Sequence, residues 1–125
     1  MKVVKIDLPQ PVSANRIWRT TRAGRTYLNP LYKAWRTRAL SCLWEQKPKG
    51  GFPFFPGAFD VQIIMPVKIR SDIDNMIKPL LDFLAEPARI IANDKHTRSA
   101  SISRSPDIAE GMCREIGRAS CRERG

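Results

Sequence analysis

The stretch from Ala58 to Ala85, AFDVQIIMPVKIRSDIDNMIKPLLDFLA, decides the fold class because its hydrophobic pattern changes partway along. Ala58 to Met65, rich in β-branched and aromatic side chains and closed by Pro66, reads as a strand. Residues 67–71, VKIRS, read as a continuation of that strand or as a basic loop. From about residue 73 to 85 the period becomes helical, with Ile73, Ile77, Leu80, Leu81 and Leu84 on one face and Asp74, Asn75, Lys78 and Asp82 off it. Pro79 removes a backbone donor and should kink this helix or confine it to later residues.

The flanking segments extend the same alternation of strands and helices. Val4, Ile6 and Leu8 alternate with Lys5 and Asp7, a short first strand ended by prolines. Residues 9–29 form a polar, basic loop with Ala23-Gly24 as its turn tip. Asn29-Pro30 is a helix start, a capping side chain followed by proline at the first helical position. A helix from about 30 to 46 gathers Leu31, Tyr32, Trp35, Ala39, Cys42 and Leu43 into one arc, and Pro48 and Gly50-Gly51 stop it. GGFPFFPG reads as a loop, ARIIAND as a short apolar piece and turn, and TRSASISRS as a polar strand before Pro106. The expected fold class is therefore α/β, one small domain with two main helices.

At 125 residues with 42% hydrophobic side chains, the chain suits one domain with a modest core. Its three cysteines are an odd number without paired ligand spacing, so neither a disulfide framework nor a zinc site is expected, and a reducing cytoplasm is the simplest location. No apolar run approaches the roughly 18 residues of a membrane span, and none resembles a secretory leader. The formal charge of +10 is unevenly placed. Residues 1–50 hold eleven Lys and Arg against only Asp7 and Glu45, whereas residues 51–114 balance eight basic against eight acidic side chains. Such an excess suits a polyanion such as nucleic acid.

Residues 115–125, EIGRASCRERG, show neither strand alternation nor a helical apolar face, and residues 115–124 resemble the in-frame translation of a sequencing adapter. The expected domain is therefore 1–114, with 115–125 a non-native tail.

Chemistry concentrates at Asp72, Asp74 and Lys78, with Asp94 following in an Asn93-Asp94 turn. Two aspartates two residues apart at a helix entrance can turn toward one point, and hard carboxylate oxygens are what Mg2+ requires. Lys78 lies one helical turn beyond Asp74, where an ammonium would stand beside the metal. That arrangement suits phosphodiester hydrolysis. The same residues also fit a plainer account: aspartates cap helices, and Asp74, Lys78 and Asp82 at four-residue spacing form an ordinary solvated ion-pair stripe.

DIDNMIKPLLDFL followed by IIANDKHT resembles the RusA family of Holliday junction resolvases, and IDLPQPVSANRIWR resembles that family's opening strand, proline-rich turn and Asn-Arg pair. The resemblance spans roughly residues 3–105. It implies a small α/β endonuclease with a mixed sheet, acting with Mg2+ as a homodimer on four-way junction DNA. It also implies that Asp72, Asp74 and Asp94 are catalytic and metal-holding, with Lys78 as the helix lysine. Asn75 is expected to orient a carboxylate or cap the helix. The family's basic cluster before the first aspartate is thinned here to Lys68 and Arg70, and its final strand is expected to be missing where EIGRASC stands, leaving backbone groups unpaired.

Arg16, Arg19, Arg22 and Arg25, in a loop without acids, form a candidate DNA-contacting arm together with Lys68 and Arg70. Trp18 and Tyr27 lie among these arginines, where base stacking or packing would suit them equally. Trp35 is expected in the core, Phe52, Phe54 and Phe55 in packing or a dimer surface, and His96 in solvent. Two other functions are compatible with the residues: a non-catalytic basic DNA-binding protein of phage origin, and a metal nuclease acting on flaps or RNA.

Overall fold

A computed structural model describes residues 2–12, 18–69 and 73–119, with Trp18 and Arg19 described by backbone alone. β1 (Lys2–Pro9) is the expected first strand; it buries Val4, Ile6 and Leu8 on one face. The expected basic loop is instead partly a hairpin of β2 (Trp18–Thr20) and β3 (Thr26–Leu28). Its three-residue strands are too short for a hydrophobic period to register. Gly24, at φ 85°, makes the tip, and Thr21 closes it by accepting from Gly24 N and Arg25 N.

α1 (Pro30–Glu45) starts where the sequence places it: Asn29 Oδ1 accepts from Leu31 N at 2.9 Å, and Pro30 takes the first helical position. Tyr32, Trp35, Ala39 and Leu43 are buried, whereas Leu31, expected in the same arc, is exposed. Gln46 fastens the far end of α1 to β1, accepting from Asp7 N at 2.7 Å and donating to Asp7 O at 2.6 Å. The amide thereby pairs with one residue of an edge strand as a neighbouring strand would.

β4 (Phe59–Pro66) buries Phe59, Val61, Ile63 and Met65. A 3-10 turn over Ile73–Met76 then feeds α2 (Ile77–Ala85). This is how Pro79 is accommodated: it lies in the first turn of α2, where its missing N–H would have had no intrahelical partner. β5 (Thr97–Ser105) and β6 (Met112–Ala119) complete the strands among the described residues.

The four-stranded sheet has the order β1-β6-β4-β5, with β4/β5 parallel and the other neighbours antiparallel, so it is mixed. The final strand is therefore present and central. Residues 115–119, set apart in the sequence as lacking strand alternation, form the second half of β6; residues 115–118 pair with both β1 and β4, and Ala119 pairs with β1. Their burial does alternate, but Glu115 and Gly117 face inward while Ile116 faces away, which conceals the period. Gly117 gives Phe55 its place, since a Cβ there would stand 3.1 Å from Phe55 Cε2.

Both helices cover one face of this sheet. α1 packs along β1, and Trp35 meets Phe83 of α2 edge to face at 5.3 Å. The Trp35 indole donates to Pro9 O at 2.7 Å, so the largest core side chain has its polar atom satisfied. Phe55 is fully buried and Phe52 packs at the core's edge, so these two serve packing, while Phe54 is exposed.

Candidate active site

Lys78, in the first turn of α2, reaches Asp82 Oδ1 at 3.0 Å, one turn further along the helix, and Asp94 Oδ2 at 2.9 Å across a loop. Asp94 is placed by its own neighbours. Phe55 and the Ile90–Ala92 segment pair through Phe55 N to Ile90 O and Ala92 N to Phe55 O, which binds the loop after α2 to the core. Asn93 Oδ1 then accepts from Lys95 N at 2.9 Å, capping a 3-10 turn over Asp94–His96, and Thr97 Oγ1 donates to Asp94 O at 2.6 Å. The carboxylate beside Lys78 thus rides on a backbone held from both sides.

Asp74 stands four residues before Lys78 on the preceding 3-10 turn and is exposed, while Met76 of the same turn is buried and anchors it. Half of the ion-pair stripe read from sequence exists: Lys78 pairs with Asp82 and Asp94, not with Asp74. The Asp94 carboxylate, and after it that of Asp82, pushes the Lys78 pKa above its ordinary value. Lys78 is therefore a fixed cation, unsuited to accept a proton and suited to donate to phosphate oxygens.

Among the described residues, no group of three or more His, Cys, Asp or Glu side chains is arranged to hold a metal ion. Asp72 lies outside the described residues, as do Arg16 and Arg70 and the side chain of Arg19. The donors that are described still fit magnesium in kind. Asp74 and Asp94 offer hard oxygens at solvent-accessible positions, and that ion takes one or two carboxylates with water and phosphate around it.

Arg22 and Arg25 are exposed at the tip of the β2–β3 hairpin, and Lys68 is exposed beyond β4, on the wall of an open hollow shared with Glu110. Tyr27 is 41% exposed, and Trp35 is core. His96 is half-buried on the Asp94 turn. In the sequence Asp82 stands out only as part of a solvated stripe, and its four-residue spacing from Lys78 is the signal that points to the pair. No described helix is long and apolar enough to cross a membrane.

Residues 9–111 match the family described as Endodeoxyribonuclease RusA. A curated relative, the crossover junction endodeoxyribonuclease RusA of Aquifex aeolicus (strain VF5), is 38% identical over 87 residues, covering 70% of this chain and 66% of the relative. The match thus spans just under two thirds of that relative's length. The family match encloses the aspartate-lysine motif at the entrance to α2, the Asp94 turn, both helices and the strands β2 to β5, and on that extent of agreement the chain belongs to the RusA family of endodeoxyribonucleases.

Proposed function

We propose that this protein is a magnesium-dependent, structure-selective endodeoxyribonuclease that resolves Holliday junctions by paired nicks in DNA recombination and repair. The observation that carries this reading is the Lys78 ammonium fixed against Asp94, four residues after Asp74, inside a region that matches a DNA nuclease family. Asp72, Asp74 and Asp94 would hold the ion. Magnesium, when bound, would supply an acidified water and neutralise charge on the scissile phosphate. Lys78 is placed to donate to a non-bridging phosphate oxygen and so to stabilise negative charge that develops there. No side chain forms a covalent bond to DNA. Symmetric nicking requires two equivalent sites, which a chain of this size supplies by pairing as a two-fold homodimer. Residues 1–114 carry the nuclease domain in this reading, and residues 115–125 are a non-native tail whose first five residues, 115–119, supply the second half of β6.

A labelled four-way junction incubated with the protein tests the reading. Cleavage is expected with magnesium and not without it. Retardation of the junction with no nicking would support the basic DNA-binding alternative, and equal cutting of linear duplex would refute junction selectivity.

The arginines at the hairpin tip give a separate expectation. If Arg22 and Arg25 each touch a phosphate, replacing either by alanine flattens the dependence of log affinity on log salt by about 0.7–0.9. Titration of junction binding at several salt concentrations reads this directly, and an unchanged slope removes the residue from the DNA interface.

A further inference from the structure

The pair that Lys78 makes within α2 runs against the helix's own electrostatics. A helix favours anions at its N-terminus and cations at its C-terminus, and an acid placed before a base at four-residue spacing is the better order. α2 has the reverse: Lys78 is in the first turn, Asp82 lies toward the last, no acid occupies the first turn and no base the last. Helix stability does not account for this arrangement. The two charges are also largely at the surface, with Lys78 60% and Asp82 35% exposed, where such a pair contributes little to folding.

Asp82 is also too far along the chain to share an ion with Asp74. Eight residues separate them, and the rise through the 3-10 turn and the α-helix places them about 13 Å apart along the axis. A metal lying about 2.1 Å from an Asp74 oxygen is beyond the reach of the Asp82 side chain. Lys78 stands between the two acids.

We propose that Asp82 is a positioning residue that keeps the Lys78 ammonium aimed at the scissile phosphate once the Asp94 carboxylate is engaged by the metal. This rests on the reading of Asp94 as a metal ligand and of Lys78 as the phosphate-stabilising cation. Of the two carboxylates that hold Lys78, one has a second task and the other has none. A lysine on a flexible four-carbon stem, released by Asp94 and lacking Asp82, would sample many rotamers, and the fraction of complexes with the ammonium in place would fall. Asp82 is on the same helix as Lys78, so the aim survives whatever the Asp94 turn does.

The test compares Asp82→Asn, Asp82→Glu, Lys78→Met and the double variant Asp82→Asn/Lys78→Met in the full chain, by single-turnover cleavage of a labelled four-way junction across a magnesium titration. Asp82→Asn is expected to lower the cleavage rate roughly 10- to 100-fold, the size of effect that partners orienting a reactive group commonly have. Junction affinity, half-saturating magnesium and melting temperature should be essentially unchanged. Asp82→Glu should recover part of the rate, and in the Lys78→Met background the Asp82→Asn change should have no further effect. A normal rate in Asp82→Asn while Lys78→Met is inactive would overturn the proposal and leave the catalytic reading standing. A normal rate in Lys78→Met would instead remove the reading on which it rests. A large shift in half-saturating magnesium would make Asp82 a ligand and also overturn the proposal.

Discussion

Replacing Glu115 by leucine is expected to raise the protein's stability, and by more at pH 7.5 than at pH 5. Glu115 lies on the inner face of the central strand, paired in register with Ile6 of β1 and Ile63 of β4. It is 1% exposed, and neither carboxylate oxygen has a hydrogen-bond partner. The space around it is lined by Val4, Ile6, Phe55, Phe59, Val61, Leu84, Ile90, Ile91 and Gly117, with no charged side chain. About 10 Å³ is free there, room for one water at most and too little to hydrate a carboxylate. Burying an unpartnered polar group costs about 1–3 kcal/mol even when it is neutral.

Burial also pushes the Glu115 pKa well above its ordinary value, so the folded protein retains a proton that the unfolded chain releases. The folded state is therefore at no ionisation disadvantage below the unfolded pKa. It loses stability as pH rises from there through the folded pKa, by up to about 1.4 kcal/mol per pH unit. Leucine removes both costs at nearly constant volume, and a gain in melting temperature on the order of 10 °C at neutral pH is expected. Thermal unfolding of the two proteins from pH 5 to 8 reads the difference, and parallel pH profiles would show that Glu115 is not the group responsible.

The second large effect is catalytic. Asp94→Asn is expected to reduce junction nicking by on the order of 10³-fold or more, because it removes a charged oxygen from the metal's donor set and weakens one of the two anchors of Lys78. Asp74→Asn should lose activity to a similar degree while leaving both Lys78 ion pairs intact. Retardation of a labelled junction without metal should be near normal for both variants, since neither position supplies positive charge to the DNA. Full nicking activity in either variant would remove that carboxylate from the metal site.

What the sequence disclosed follows from how local each signal is. Asn29-Pro30 marks the start of α1 to the residue, because a cap and a proline act within one turn. β1, β4 and β5 were legible from composition and flanking prolines. β6 was not: its inward positions are Cys113, Glu115, Gly117 and Ala119, of which only Cys113 and Ala119 are apolar side chains, and the burial of Glu115 is imposed by the strands on either side. The aspartates and Lys78 were legible as chemistry. That Lys78 would choose Asp94 over Asp74 was not, because the loop that brings Asp94 back is held by Phe55, a residue with no sequence relation to either.

The central position of β6 has a consequence for synthesis. Val4 of β1 finds its partner Gly117 more than about 100 residues later, and β4 likewise pairs with β6 after both helices have been made. At a ribosomal rate of about 5–20 residues per second, the N-terminal strand waits roughly 5–20 s for its neighbour. During that time the edges of β1 and β4 that β6 will join are without it, and the parallel β4–β5 pair is the part of the sheet that can form. Completion of the sheet is therefore a late event that depends on contacts distant in sequence, a topology that slows folding.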